Sequence, residues 1–577
     1  MTSKSAPSIR PRWISLALGT VATGLGFFLI VRPFASLGAL VFAISAGLVV
    51  IGLSRLTGSA AVMSSRALGA LWVVIGVVLL VLPNMTVRWL VLIVGIYLII
   101  DGLGDIWDGV RATTDERFAS FVRGIATAIF GLLALTWPDI TILVIAIVFA
   151  ARLVILGITQ VIGSLRKSME KAVEERPQGA ARRWVNLIGA VASLVVAGAL
   201  AVVSSVFNDG EPVVDEFYAA PGSVPDEPGA LIRHERFERG IPDDAVAWRI
   251  LYTTTRDEGQ PSLASAIVVA PAAETAGARE VIAWAHGTTG VDETCAPSVL
   301  EGTFTTGAFF SAERVIDEGW VLVAPDYVGL GTAGPHPYLI GQGEARPVLD
   351  AVRAARRMDE LRLAERTIVW GHSQGGHAAL WTGVIAPTYA PEVNVIGVAA
   401  LAPASDLLAL MDTLPSVTGG SIFAAYTLSA YADIHDDVDL IDYVVPGGDI
   451  KVEQIAGRCL AEPSVLTSVL SSIAVGFSSF RADLTSGQLA ERFAENIPPY
   501  TIEVPLLIGQ GAADSLVEPA MQDGYVQGLC EAGREVDYRK YDALGHVPLV
   551  EADSPLIPEL FEWTQARLAG DEPRSTC

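Results

Sequence analysis

Over the first 207 residues the apolar positions run in stretches of membrane-spanning length, near 13–31, 36–53, 67–83, 87–104, 119–137, 140–164 and 184–206. From about residue 231 the pattern changes to short apolar runs of strand length, alternating with helical segments. Strands are predicted at 247–253, 263–270, 280–285, 320–324, 367–370, 394–401 and 504–509, and helices at 306–317, 345–358, 376–385 and 556–568. Two opening strands followed by βαβ alternation predict a mostly parallel sheet covered on both faces, with any site at the carboxyl ends of its strands. Residues 406–500, with a helix at 464–474, interrupt that order and read as a helical cap. The expected layout is a six-helix membrane region (1–183), a seventh transmembrane helix (184–207), a Pro/Gly-rich acidic linker (208–230) and an α/β domain (231–577).

The first six apolar segments repeat. From Gly19, Gly69 and Gly124, a glycine recurs seven residues on at Gly26, Gly76 and Gly131; a proline recurs at Pro33, Pro83 and Pro138, and a further glycine at Gly52, Gly102 and Gly157. This predicts three helical hairpins turned at the prolines, with glycines that allow close helix–helix approach. Asp101, Asp105 and Asp108 at one helix end read as interfacial, and Arg152 as snorkelling or paired within the bundle.

Charge separates the two parts further. Residues 1–207 carry 17 Lys+Arg and 9 Asp+Glu, a net of +8, and the remainder carries 22 and 54, a net of −32. All four cysteines and all seven histidines lie in the second part. The acidic balance argues against nucleic acid, and no metal, nucleotide or dinucleotide motif is present, so no cofactor is expected. Lys4, Arg10, Arg12, Arg55, Arg66 and the basic stretch 166–183 lie on one set of loops, whereas the alternate loops carry Arg32 and Arg88. The expectation is a multi-pass cell-membrane protein with a cytoplasmic N-terminus and an extracytoplasmic C-terminal domain.

The chemistry centres on Gly371-His-Ser-Gln-Gly375, between the strand at 367–370 and an alanine-rich helix. This is the form of a nucleophile elbow, in which a strand turns sharply into a helix with a serine at the apex. Side chains at 371 and 375 would collide with the neighbouring strand and helix. Upstream, His286-Gly-Thr-Thr-Gly290 follows a strand and suits an oxyanion loop, giving the N–H of Thr288 (or Thr289) and of Gln374 as donors. Downstream, Asp514 follows the strand at 504–509, with Glu518 as the weaker alternative, and His546 is the single histidine after it. The predicted catalytic set is Ser373, Asp514 and His546. Asp326, Tyr327 and His336 read as supports of a bordering loop, and His372 and His377 as packing around the elbow.

With these residues placed, the domain resembles the secretory lipase family from about 215 to 577, through Thr294-Cys-Ala-Pro-Ser298, Gly319-Trp, Asp326-Tyr, Gly371-His-Ser-Gln-Gly-Gly-His-Ala378, Tyr389-Ala-Pro-Glu392 and Gly457-Arg-Cys-Leu460. The resemblance implies an α/β-hydrolase with a Ser-Asp-His triad, a helical cap and lipase or esterase activity on lipid or other apolar esters. It also implies disulfides Cys295–Cys459 and Cys530–Cys577. Two departures stand out: members are typically secreted, and their oxyanion loop tends to carry an aspartate, for which Thr288 or Asp292 is nearest here. Residues 13–165 resemble the HdeD-like family of acid-resistance membrane proteins. Other expectations for the same residues are an acyltransferase or peptidase on this fold, or a membrane stress protein with a vestigial hydrolase module.

Overall fold

The computed structural model describes residues 12–57, 63–111, 117–165, 180–208, 212–256, 259–304, 311–461, 465–481 and 483–577. Lys4, Arg10, the basic residues 166–176 and the start of the helix expected at 306–317 lie outside the described residues. The chain forms two compact units. The first comprises residues 1–209 with two short pieces of the later chain, Val444–Gln454 and Ser478–Arg481, and the second holds the remainder.

Among the described residues the first unit has the helices α1 (Arg12–Val31), α2 (Pro33–Thr57), α3 (Met63–Val81), α4 (Pro83–Arg111), α5 (Arg117–Thr136), α6 (Pro138–Leu165) and α7 (Ala180–Asn208). Five apolar spans, Pro33–Ser54, Pro83–Arg111, Arg117–Thr136, Pro138–Gly163 and Leu187–Ser205, are long enough to cross a membrane, and the apolar helices Leu16–Val31 and Ala67–Val81 are shorter. Pro33, Pro83 and Pro138 each open a helix one residue after the previous one ends. A proline at that position lacks only an N–H that has no helical partner anyway, and it drives the preceding residue out of the helical region.

The repeat glycines lie where helices approach closely. The tight pairs are α2 with α3, α4 with α5, and α6 with α1, so each repeat packs chiefly on the next and the third closes back on the first. Cβ atoms built at Gly19, Gly52 and Gly124 would fall 2.9, 2.6 and 2.6 Å from the carbonyl oxygens of Gly157, Gly69 and Gly102, respectively. Backbones that approach so closely leave no room for a side chain, which is why the glycines recur at matched positions. Asp105 accepts from Arg123 at 2.7 Å, a half-exposed pair that accounts for one of the clustered aspartates.

The second unit is built on β1 (Leu231–Phe237), β2 (Ala245–Thr255), β3 (Pro261–Pro271), β4 (Arg279–Ala285), β5 (Val321–Val328), β6 (Leu363–His372), β7 (Val395–Leu401), β8 (Leu506–Gly511) and β9 (Val536–Tyr541). They form one sheet in the order β1-β2-β3-β5-β4-β6-β7-β8-β9. β1, β2, β3 and β5 pair antiparallel, and pairing is parallel from β5 through β9. The sequence pattern did not reveal β1, whose Leu-Ile-Arg-His-Glu-Arg-Phe is mostly polar at the sheet's edge, or β9, Val-Asp-Tyr-Arg-Lys-Tyr, at the other edge. Both faces are covered. On one face lie α9 (Gly341–Ala355), α10 (Gln374–Tyr389) and α17 (Pro519–Glu531); on the other lie α8 (Ala312–Asp317) and α18 (Leu556–Ala569). The residues expected as a linker are in part packed, since Phe217 and Tyr218 are buried in the core.

Between β7 and β8 the chain forms α11 (Leu407–Thr413), α12 (Gly420–Ile434), α13 (Leu440–Tyr443), α14 (Gly448–Ala456), α15 (Val465–Val475) and α16 (Gly487–Glu495). Disulfides join Cys295 to Cys459 and Cys530 to Cys577.

Candidate active site

β6 ends at His372 and α10 begins at Gln374, leaving Ser373 alone at the turn with φ 60° and ψ −119°. A non-glycine residue adopts that conformation only where its surroundings enforce it. Here Ser373 N–H donates to Leu401 O at 2.9 Å, and its carbonyl accepts from His377 N–H at 3.1 Å. A Cβ at Gly371 would overlap the backbone of Gly375, and one at Gly375 would overlap the backbone of Ala285 on the adjacent strand. The glycines therefore let helix and strands close around the serine.

His546 Nε2 lies 2.8 Å from Ser373 Oγ, and its Nδ1 lies 2.7 Å from Asp514 Oδ2. The tautomer that satisfies both contacts carries its proton on Nδ1, donates it to Asp514, and accepts the serine hydroxyl at Nε2. Asp514 is 4% exposed and accepts at Oδ1 from the N–H groups of Leu516 and Val517, both at 2.9 Å. Gln510 Nε2, 3.3 Å from Oδ2, reaches the same carboxylate. These donors fix its orientation and stabilise its charge. Glu518, the alternative acid, sits at the start of α17 instead. His372 Nε2 donates to the His546 carbonyl at 3.1 Å, so the last residue of the strand holds the loop that carries His546. Burial and the neighbouring His546 push the His372 pKa well below the usual imidazole value, so it serves there as a neutral donor.

The loop His286–Gly290 faces the elbow: a Cβ built on Gly287 would lie 3.2 Å from His372 O and 3.6 Å from Ser373 Cβ. Thr288 Oγ1 is 2.9 Å from Tyr338 Oη, and Thr289 O accepts from Leu460 N–H at 2.8 Å. Asp292 is engaged elsewhere, accepting from the Thr294 N–H and hydroxyl at 3.0 and 2.7 Å. Asp326 is fully buried and accepts from Ser265, from Ser298 Oγ and from Ser298 N–H; burial raises its pKa to about 6. Tyr327 donates to His286 O at 3.0 Å. These residues pin the loop, as their sequence context suggested.

Behind the serine lies a polar cluster that sequence reasoning missed. Gln374 Nε2 donates to Glu344 Oε1 at 2.8 Å and to His336 Nε2 at 3.0 Å. His336 Nδ1 in turn donates to Val328 O, and burial lowers the pKa of this ring to about 3. Glu344 Oε2 lies 2.8 Å from His377 Nδ1, while His377 Nε2 donates to Asn496 O at 2.8 Å. A carbonyl only accepts, so Nε2 holds one proton and a second lies between Nδ1 and the carboxyl group. Glu344 and His377 are fully buried, and the cluster fixes the first turn of α10, which carries the Gln374 N–H. Glu344 sits in an ordinary-looking helix start and Asn496 lies 152 positions later, so no local pattern links them.

The secretory lipase family model matches residues 296–576. Over these residues the C-terminal part matches the secretory lipase family. A model of a short repeat of unknown function, DUF308, matches residues 67–122 and 122–203, which is the HdeD-like family and follows the glycine–proline repeat. Lipase A of Moesziomyces aphidis is 24% identical to the chain, covering 63% of this chain and 82% of its own. A protein of Mycobacterium tuberculosis named a probable inactive lipase is 23% identical, over 62% and 83%. Candida antarctica lipase A in its closed state shares the fold of the lipase part with a TM-score of 0.55, at 21% identity over 63% of this chain and 87% of that one. The lipase part is thus a hydrolase-fold domain of a lipase and esterase family, joined to a repeat region rich in apolar helices.

Proposed function

We propose that the chain is a membrane-anchored serine ester hydrolase that cleaves carboxylic esters, chiefly of lipids, outside the cytoplasmic membrane. The observation that carries this reading is the hydrogen-bonded series Ser373–His546–Asp514 at a strained strand-to-helix turn. Ser373 Oγ would attack the ester carbonyl while His546 takes its proton. The imidazolium, held by Asp514, then returns that proton to the departing alcohol, leaving an acyl-enzyme. Water, activated by the same imidazole, releases the acid. The N–H groups of Gln374 and Thr288 are the proposed donors to the oxyanion, each stabilising the transition state by about 3 kcal/mol. The helices α11–α16 act as the cap over an apolar substrate.

Seven membrane-spanning helices, six in the repeat and α7 leading to the lipase part, are proposed as the anchor, with residues 231–577 as the hydrolase domain. The basic loops put the N-terminus in the cytoplasm. The alternate loops carry few basic residues, and α7 follows the basic stretch 166–183, which supports the opposite side for the lipase part.

The purified full-length chain should hydrolyse p-nitrophenyl acyl esters, and Ser373→Ala should remove that activity. Equal turnover by the two proteins refutes the assignment. A second reading, a vestigial hydrolase module, is favoured by the name of the mycobacterial relative. A fluorophosphonate probe separates the two, since it labels Ser373 only when His546 activates it.

A further inference from the structure

Two short pieces of the lipase insertion are part of the helical unit, not of the sheet unit. They are tied together by main-chain bonds: Val445 N–H donates to Ser479 O at 3.0 Å, and Val444 pairs with Phe480. At their centre is Gly447, with φ 85°. A Cβ built there would lie 3.1 Å from Leu37, 3.2 Å from Val87 and 3.5 Å from Ile142. Each of these three residues stands four positions after a repeat proline, Pro33, Pro83 or Pro138. Gly447 therefore sits where the three equivalent helix starts of the repeat converge. A side chain there would press on these three, and the left-handed backbone at Gly447 suits glycine.

The charges around this point match in alternation. From Asp449 the chain reads Asp-Ile-Lys-Val-Glu. Arg88 donates to Asp449 at 2.8 Å and to Glu453 at 2.6 Å. Lys451 between them is 1% exposed, and Asp139, one residue after Pro138 and 2% exposed, is the charge that favours its ammonium form. Burial outweighs that attraction and lowers the Lys451 pKa to about 8. Ile450 and Val452 are buried as well. The three repeats offer equivalent apolar contacts, but Arg88 and Asp139 each occur in one repeat alone, which sets a single orientation for the incoming segment.

We propose that the proline-turn end of the repeat bundle is a docking socket for Val444–Gln454, and that the bundle serves to hold this segment of the lipase insertion. The held segment continues through α14 to Cys459, whose disulfide reaches Cys295, and to Leu460, whose N–H holds Thr289 of the loop facing Ser373. Four residues separate Gln454 from Cys459. Docking thereby restrains the loop that the ester-hydrolase reading uses for its oxyanion donor, and this consequence alone rests on that reading.

The test is amine acetylation of the full-length chain in lipid nanodiscs, followed by mass spectrometry at Lys451 and at Lys540, which is 44% exposed by its side chain and serves as the internal reference. In the unaltered chain, Lys451 should react at least 10-fold more slowly than Lys540. Arg88→Glu sets three carboxylates against one another and should raise the relative rate at Lys451 10-fold or more. Arg88→Glu combined with Asp449→Arg and Glu453→Arg should restore protection, which a variant that merely misfolds cannot do. Equal reaction of the two lysines in the unaltered chain, or protection that ignores Arg88→Glu, overturns the docking. Turnover of p-nitrophenyl acetate, measured on the same samples, should fall at least threefold in Arg88→Glu and recover in the triple variant. Exposed Lys451 with unchanged turnover overturns the restraint on the loop, whereas no turnover in the unaltered chain counts against the ester-hydrolase reading and leaves the lysine result to stand or fall alone.

Discussion

At the level of single residues, the candidate site depends on one strained backbone and one oriented imidazole. Asp514→Asn keeps the shape but lets the amide favour the wrong tautomer of His546, so kcat should fall about 10,000-fold with KM nearly unchanged. Steady-state kinetics on a short-chain ester decides this, and a loss below tenfold would remove Asp514 from its role. Gly371→Ala places a methyl group inside the Gly375 backbone, and the lipase part should lose more than about 3 kcal/mol of stability, read by chemical denaturation. The pH dependence follows from three buried histidines. His286, His336 and His372 have lowered pKa values, about 4 and about 3 for the first two, chiefly through burial. The unfolded chain binds their protons first, so their contribution is complete above about pH 6.5 and is lost as pH falls towards 4. Asp326 acts in the opposite sense: its raised pKa favours the fold at low pH, and that contribution is lost as pH rises from about 4 to 6. Three groups outweigh one, and the melting temperature of the lipase part should drop between pH 6.5 and 4.5. A flat profile contradicts this.

At the level of elements, the elbow was legible because a strand, a small-residue turn and a helix are consecutive in sequence. The same holds for the loop after β4 and for Asp514 after β8. The supports of α10 were not, because Glu344, His377 and Asn496 come from three separate elements and make sense only once folded. Glu344→Ala should remove one buried partner from the Gln374 amide and one from the His377 ring, at a cost of about 1–3 kcal/mol for each lost contact. Thermal melting checks this, with Glu344→Gln expected to lose less. The disulfides staple elements far apart: Cys295–Cys459 spans 164 positions and Cys530–Cys577 spans 47. Loop-closure entropy then makes removal of the first costlier by about 1 kcal/mol. Paired Cys→Ala variants compared by denaturation test that ordering.

For the whole molecule, the sharp change in hydropathy and charge near residue 207 already separated a membrane-like part from an acidic soluble one. The glycine–proline repeat also predicted an internal triplication, and the DUF308 matches begin close to its second and third copies. What the repeat did not disclose was which helices pair. The glycines of one repeat meet those of the next, so the closest pairs join helices of different repeats. Glycine spacing specifies that a face is smooth enough for close approach, and leaves open which other smooth face it meets.

The sequence by itself determined the α/β-hydrolase order and singled out Ser373, Asp514 and His546 as the residues proposed for catalysis, since in this fold each such residue follows a strand and their order along the chain is set. The edge strands β1 and β9, the cluster behind α10 and the place of Val444–Gln454 in the helical unit were decided by tertiary structure. Edge strands carry a polar pattern, buried polar groups are paired across long separations, and Asp-Ile-Lys-Val-Glu becomes a key only where Arg88, Asp139 and three helix starts converge on it. Local chemistry can be read along a chain, whereas complementarity between distant segments exists only after they meet.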